Sequence, residues 1–190
     1  QQPSIAIVGT RKCSTQAKHL TASFSATLSS NNVIVSGLAY GVDHVAHLHA
    51  IPQTIGICGQ GLESKCNGYR RRAHHLVLNG GGLLLSEFHP FQPASKWTYV
   101  QRNRTIAGLA KALIVIEAPT RSGALISANF AVELGRDVYV VPSHPNHIQG
   151  LGSLQLLRDG ALFAITPEDV DPSPQRSWTH PLLQALHHPK

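Results

Sequence analysis

Short runs of apolar residues alternate along the chain with longer segments in which apolar residues recur at helical spacing. The first run, S-I-A-I-V-G from Ser4 to Gly9, is continuously apolar and ends in glycine, which is typical of a buried strand. Residues 14 to 29 follow with one apolar face, and either Ser14 or Thr15 is suited to cap the start of a helix. This beginning predicts a strand followed by a helix.

The same alternation continues to about residue 163. Strands of a parallel sheet covered on both faces are continuously apolar, and helices connect them. The predicted fold is therefore α/β, with a mainly parallel sheet and helices on both faces. Open sheets of this kind bind ligands beyond the carboxyl ends of their strands, so we expect functional residues directly after each strand. The further predicted strands are 33–35, 54–58, 83–85, 113–116, 138–141 and 162–163, and the further predicted helices are 42–50, 69–79, 101–110, 123–135 and 152–159.

The loops after the first two strands have the composition of phosphate-binding loops. Gly9, Thr10 and Arg11 follow the first strand, where a tight turn would expose backbone amides beside a guanidinium group. An ordinary surface arginine explains this motif equally well. The second loop carries Ser36, Gly37 and Gly41 at a helix start, and we expect it to be at the same time a plain turn with Asp43 placed favourably on the helix dipole. The phosphate-loop residues predicted from these two motifs are Gly9, Thr10, Ser36, Gly37 and Gly41.

The segment K-W-T-Y-V-Q-R-N-R, residues 96 to 104, combines cations and aromatic rings in a chain where charges are scarce. Cations that follow phosphates and rings that stack on bases are what binding of a single strand requires, without any demand for base sequence. In the alternative interpretation, Trp97 and Tyr99 anchor the core and the arginines form a solvated face. The binding residues predicted here are Lys96, Tyr99, Arg102 and Arg104.

Arg121, Ser122 and Gly123 stand at the start of the helix that follows the fifth strand. A cation next to free helix amides is a strong geometry for phosphate, although Ser122 would also serve as an ordinary cap. Three of the loops therefore carry an arginine, and all three should reach the same edge of the sheet. We expect a basic rim there, with aromatic side chains beside it.

Charge and cysteine content agree with an anionic partner in a reducing compartment. The net charge is +6 with histidine neutral and the pI is about 9.6, while only 14% of residues are charged. The three cysteines, Cys13, Cys58 and Cys66, form no Cys-x-x-Cys pair and favour a cytoplasmic location. No signal peptide is recognisable, and no apolar stretch is long enough to span a bilayer, so no membrane association is expected.

The sequence does not favour a metal site, a cofactor or a catalytic residue. Three of the 12 histidines, His44, His47 and His49, lie close together, but their spacing does not place them on one helix face. Glu87 and Glu117 each follow a strand, yet neither has a nucleophile partner in the sequence.

Taken in order, the motifs resemble those of the DNA-processing protein A (DprA/Smf) family over about residues 5 to 170. Each motif is modest alone, whereas six in order at matching spacing are highly specific. They are G-T-R at 9–11, S-G-x-A-x-G-V-D-x-x-A-H at 36–47, S-E-F at 86–88, R-N-R-T-I-A-G-L at 102–109, E-A at 117–118 with R-S-G-A-L-I-S-A at 121–128, and G-R at 135–136 with V-x-V-V-P at 138–142.

The resemblance implies an extended Rossmann-like fold and a non-enzymatic protein that binds single-stranded DNA without sequence preference. It further implies a homodimer that loads the recombinase RecA during natural transformation. By position, the family's DNA contacts carry over to Arg11, Lys96, Tyr99, Arg121 and Gly123, with Arg102 and Arg104 shaping the pocket.

The alternative hypothesis is a nucleotide-binding protein or phosphoribohydrolase of the related LOG-like fold. Such enzymes carry a P-G-G-x-G-T-x-x-E signature, which is absent here; the triple glycine at 80–82 lacks its threonine and glutamate. For domain organisation, we expect a Rossmann-like DNA-binding domain over residues 1–170. Residues 171–190 are expected to form a linker and the truncated start of a C-terminal winged-helix domain.

Overall fold

The computed structural model describes residues 2–66 and 68–171, and in it seven parallel strands form a single sheet. Their spatial order is β4-β3-β2-β1-β5-β6-β7. All seven predicted strands are present, and the predicted α/β fold is confirmed. The strands are β1 Ser4–Val8, β2 Val33–Ser36, β3 Thr54–Ile57, β4 Leu83–Leu85, β5 Ala112–Val115, β6 Asp137–Val140 and β7 Leu162–Phe163.

Six α-helices connect these strands, as the sequence predicts. Two short 3₁₀ turns, Ile148–Gly150 and Pro167–Asp169, lie near the carboxyl end of the described chain. None of the helices in the described ranges has both the length and the apolar character needed to cross a membrane. The predicted linker and winged-helix start lie, from residue 172 onward, outside the described residues. The helices are α1 Thr15–Leu28, α2 Val42–Ala50, α3 Gly68–Asn79, α4 Lys96–Leu109, α5 Gly123–Glu133 and α6 Leu151–Arg158.

Alternate residues of the central strand β1 face two separate hydrophobic layers. Ile5 and Ile7 pack with α1 and α2, where Phe24 is the largest fully buried side chain. Ala6 and Val8 pack on the opposite face with α4 and α5. Because side chains of a strand alternate between the faces of its sheet, a continuously apolar strand is what a sheet covered on both sides requires.

Helix α4 begins at Lys96 and not at residue 101 as predicted. Ser95 caps it: the Ser95 hydroxyl accepts a hydrogen bond from the Thr98 amide, and the Thr98 hydroxyl accepts one from the Ser95 amide at 2.9 Å. This reciprocal pair is a capping box in which threonine takes the position usually held by glutamate or glutamine. The segment at 96–104 is therefore helical, and only part of it can face any one neighbour.

The order of the strands determines where along the sheet a crevice for a ligand forms. β1 lies between β2 and β5, so the chain moves outward in opposite directions from β1. The loops that follow β1 and β5 consequently separate and leave a crevice at their carboxyl ends, which is where open α/β sheets bind ligands.

The last residue of the motif at 36–47, His47, is buried and fixes the loop that follows β2. Its two ring nitrogens lie 2.7 Å from the Thr54 hydroxyl and 2.5 Å from the Gly37 carbonyl oxygen. Nε2 must donate to that carbonyl, and Nδ1 lies against the Thr54 hydroxyl, whose single proton also reaches the Ile34 carbonyl oxygen at 2.9 Å. Burial lowers the pKa of His47 from 6.5 to about 4, which agrees with a neutral ring.

Acid should destabilise the protein through His47. Its contribution is fully present above pH 6.5 and should be lost as the pH falls to about 4, because the unfolded chain binds the proton more readily than the native ring. The loss should amount to roughly 3 kcal/mol of unfolding free energy. Denaturant unfolding across this range should show it for the wild type and not for His47→Gln, and parallel pH profiles for the two proteins would contradict this role. The comparison of the two profiles cancels the opposite contribution of Asp43, whose pKa is raised to about 6.

Candidate functional site

Two adjoining cavities lie at the carboxyl edge of the sheet. The larger, which we call the cleft, has a volume of about 330 Å³ and lies between the loops after β1 and β5 and the inner face of α4. The smaller, the side pocket, has a volume of about 250 Å³ and lies between α3 and the loops after β2 and β3. Arg11, Ala39, Tyr99 and Arg102 line both, so the two cavities form one continuous surface.

Arg102 is a buried cation at the base of both cavities. Its side chain is 6% exposed, and Nη1 donates a 2.9 Å hydrogen bond to the Ile57 carbonyl oxygen at the end of β3. The buried Asp43 carboxylate is its nearest counter-charge: burial raises the pKa of Asp43 to about 6, and Arg102 opposes that rise. Gly37 leaves room for both groups, because a β-carbon there would displace Nη1 of Arg102 and the carboxylate of Asp43.

Tyr99 forms the wall between the two cavities. Its ring packs against Gly59, where a β-carbon would collide with the ring. Its hydroxyl accepts a 3.2 Å hydrogen bond from Nη1 of Arg70, and Cζ of Arg102 lies 5.8 Å from the ring centroid. An aromatic ring is thus held in place between two guanidinium groups.

The start of α5 supplies hydrogen-bond donors to the cleft. Ser122 occupies the cap position but makes no capping hydrogen bond, and its buried hydroxyl has no partner among the described residues. Gly123 follows it in the lining of the cleft, and the exposed Arg121 precedes it. First-turn amides carry the positive end of the helix dipole, so this group of donors is suited to an anion.

Ser36, Gly37 and Gly41 of the loop after β2 support the site but line neither cavity. The Ser36 hydroxyl donates to the Ile7 carbonyl oxygen at 2.6 Å, and Gly41 adopts a φ of 81° close to the backbone of residues 10 and 11. The amide of Ala39 donates to the Asp43 carboxylate, while the amide of Val42 donates to a backbone carbonyl. Asp43 stands in the first turn of this helix, as the plain-turn interpretation of the loop expects.

Glu117 ties together three segments around the cleft. Its carboxylate accepts hydrogen bonds from the Ser14 amide at 2.8 Å, the Ser14 hydroxyl at 2.9 Å and Nε2 of His147 at 2.5 Å. Its backbone carbonyl accepts from the Thr10 amide at 2.7 Å. Glu87, the other carboxylate considered from the sequence, is exposed and accepts a hydrogen bond from the Thr105 hydroxyl.

The structure brings together most, but not all, of the residues that the sequence singled out. Lys96 and Arg104 are exposed on α4 and line neither cavity, because Tyr99, Arg102 and Asn103 take the face that turns toward the cleft. The predicted residues that line the cleft are Gly9, Thr10, Arg11, Tyr99, Arg102, Arg121, Ser122 and Gly123.

Sequence reasoning missed further residues of the same surface. Lys12 and Asn103 also line the cleft, and they directly follow Arg11 and Arg102, which the sequence had predicted as binding residues. Tyr40, Tyr69 and Arg70 line the side pocket. The run of arginines in α3 was a visible signal for Arg70, but the sequence did not indicate that α3 reaches Tyr99.

Among the described residues, no group of three or more histidine, cysteine, aspartate or glutamate side chains is arranged to hold a metal ion.

The site is a Rossmann-like crevice lined by arginine, tyrosine and helix-start donors. It defines an α/β protein suited to an anionic ligand with an aromatic portion. The sequence matches the family DNA recombination-mediator protein A over residues 1–172, and the chain belongs to that family.

Similar proteins are known from several bacteria. The chain is 38% identical over 173 residues to the DNA processing protein DprA of Streptococcus pneumoniae, covering 88% of this chain and 60% of that protein. The X-ray structure of the S. pneumoniae protein superposes with a TM-score of 0.80 at 36% identity, over 88% of this chain and 60% of that one. This chain therefore spans less than two thirds of that relative.

DNA processing protein A of Helicobacter pylori, whose structure describes a single-stranded DNA binding mode, superposes with a TM-score of 0.81 at 28% identity, over 89% of this chain and 78% of that one. The molybdenum cofactor binding protein of Rippkaea orientalis shares the fold alone, with a TM-score of 0.61 at 14% identity, over 98% of each chain.

Removing Arg102 should destabilise the protein severely. Arg102→Met leaves the Asp43 carboxylate buried without its counter-charge, which should reduce the unfolding free energy by about 3–5 kcal/mol at neutral pH. The double variant Arg102→Met with Asp43→Asn should recover part of this loss, because no buried charge remains. Urea unfolding of the four proteins in this cycle measures the coupling, and purely additive effects would contradict a coupled pair.

Proposed function

We propose that the cleft binds single-stranded DNA without sequence preference and that the protein acts as a binding protein, not as an enzyme. The observation that carries this proposal is that Arg11, Arg102 and Arg121 line one cleft together with the ring of Tyr99 and with Ser122, whose buried hydroxyl has no partner among the described residues. Cations and an aromatic ring in one groove meet the two needs of a single strand: neutralised phosphates and stacked bases.

The geometry suggests a role for each group. A backbone phosphate at the start of α5 would accept hydrogen bonds from the first-turn amides and the Ser122 hydroxyl, with Arg121 supplying charge. Arg11 would contact the neighbouring phosphate, and a base would stack on Tyr99. Every base has an aromatic face, so such binding requires no particular sequence. Arg102, being buried beneath the ring, would position Tyr99 and add positive potential to the site.

The relatives support this proposal, since the H. pylori structure describes a single-stranded DNA binding mode in DNA processing protein A. The family is that of a recombination mediator. We further propose that the complete protein is a cytoplasmic homodimer that loads the recombinase RecA onto the bound strand during natural transformation. Size-exclusion chromatography with light scattering tests the dimer, and a RecA filament-assembly assay on coated DNA tests the loading.

Arg11→Ala and Arg121→Ala should each weaken binding of a fluorescent oligothymidine without lowering the thermal unfolding temperature, because both side chains are exposed. Each variant should also reduce the slope of log affinity against log salt by about 0.7, the value for one phosphate contact on a single strand. Fluorescence anisotropy at several salt concentrations measures both effects. Arg158→Ala is the matched control, since Arg158 is exposed at the end of α6 and lines neither cavity. Equal losses in all three variants would contradict a localised site.

Tyr99 variants separate stacking from hydrogen bonding. Tyr99→Phe keeps the ring and loses only the hydrogen bond from Arg70, so binding should change little. Tyr99→Leu keeps apolar volume but removes the ring, and should cost about 1–3 kcal/mol of binding free energy. The same oligothymidine annealed to its complement should bind worse, because paired bases cannot reach the ring. Wild-type binding of duplex as tight as that of the single strand would overturn the stacking model.

A further inference from the structure

Helix α3 carries an unneutralised row of positive charge. Its sequence begins G-Y-R-R-R-A-H-H and contains no acidic residue. Neither of the two salt bridges within the described residues involves this helix. Arg71 and Arg72 are exposed, while Ala73 and Val77 bury the opposite side of the helix against the sheet. The three consecutive arginines have no acidic residue beside them on this helix, so its exposed side is strongly basic.

This basic surface is continuous with the site already described. Arg70, the first arginine of the row, lines the side pocket, where its Nη1 donates to Gln60 at 3.0 Å and to the Tyr99 hydroxyl at 3.2 Å. Tyr99 is also a wall of the cleft. A continuous surface that carries Arg121, Arg11 and Arg70 therefore leads from the start of α5, past Tyr99, onto α3.

An aromatic platform lies where the start of α3 meets the side pocket. Tyr40 stacks on Tyr69, the second residue of α3, with ring centroids 3.3 Å apart and an interplanar angle of 24°. The Tyr69 hydroxyl donates a 2.9 Å hydrogen bond to the Ala39 carbonyl oxygen, so the lower ring of the pair is anchored. Tyr40 remains 52% exposed although it lines the side pocket. An exposed ring supported from below is the form that a stacking surface for a base takes.

From these observations we propose that α3 and the Tyr40–Tyr69 pair form a second binding segment, which extends the path of the single strand beyond the cleft. In this segment a base stacks on Tyr40, and Arg71 and Arg72 neutralise the phosphates that follow. Tyr69 and the three arginines lie within the first turn of the helix, about 5.4 Å along its axis, which matches one to two nucleotides at a stacked spacing of roughly 3.4 Å. The inference rests on the proposed function of the cleft and adds to it the direction in which the strand leaves.

The length of the DNA distinguishes the second segment from the cleft. An oligothymidine of about 5 nucleotides should fill the cleft alone, whereas one of about 15 should reach α3 as well. The double variant Arg71→Gln/Arg72→Gln should bind the short oligonucleotide like the wild type and the long one roughly tenfold more weakly. Its salt slope on the long oligonucleotide should fall by about 1.4, the value for two lost phosphate contacts. Tyr40→Ala should weaken binding of the long oligonucleotide only.

The control is Arg136→Gln/Arg158→Gln, which removes the same charge from exposed arginines that line neither cavity. It should leave both affinities near those of the wild type, and equal thermal unfolding temperatures should verify that all variants fold. Unchanged binding of the long oligonucleotide by the α3 variant would overturn the second segment and leave the cleft intact. Equal losses for both lengths would overturn it too, by placing α3 within the first site. Absence of wild-type binding at any length would overturn the proposed function itself.

Discussion

The buried guanidinium group of Arg102 is the interaction on which the functional edge of this protein depends. It links the end of β3, through the Ile57 carbonyl, to the start of α2, through the charge of Asp43. A cation removed from water is stable only with a nearby counter-charge and hydrogen bonds, so these partners must be held firmly. The residues around Arg102 are accordingly constrained: a β-carbon at Gly37 would displace the guanidinium group, and the Asp43 carboxylate accepts a hydrogen bond from the Ala39 amide.

The same cation explains why two neighbouring glycine-containing loops have different roles. After β1, Gly9 and Thr10 line the open cleft beside the exposed Arg11. After β2, the carboxylate of Asp43 stands in the first turn of α2, accepts a hydrogen bond from the Ala39 amide and lies within the electrostatic influence of Arg102, so the protein itself supplies negative charge there. A helix dipole is satisfied by either an internal or an external negative charge. At the start of α2 this negative charge is the protein's own Asp43. At the start of α5 the cap residue makes no hydrogen bond, so an anion from outside the protein can bind there.

The fold was predictable from the sequence because the signals that determine it are local. The apolar strands, their glycine stops and the helical periodicity between them specify a parallel sheet, and the arginines of three loops converge because such strands share one edge. Helix α4 was mispredicted at its start, since a Ser95–Thr98 capping box lacks the acidic residue by which such boxes are usually identified. The side pocket was missed because contact between Arg70 and Tyr99, residues on different helices, depends on how α3 and α4 pack, which no local pattern encodes.

The carboxylate of Glu117 has a consequence for the thermodynamics of ligand capture. By binding Ser14 and His147 through its side chain and Thr10 through its carbonyl, it fastens the rim of the cleft to α1 and to the segment after β6. A rim fixed in this way is preorganised, so the protein loses little conformational entropy when a ligand enters. The entropic cost of association then falls on the flexible polymer, and the affinity for it should depend more on the stiffness of the strand than on any rearrangement of the protein.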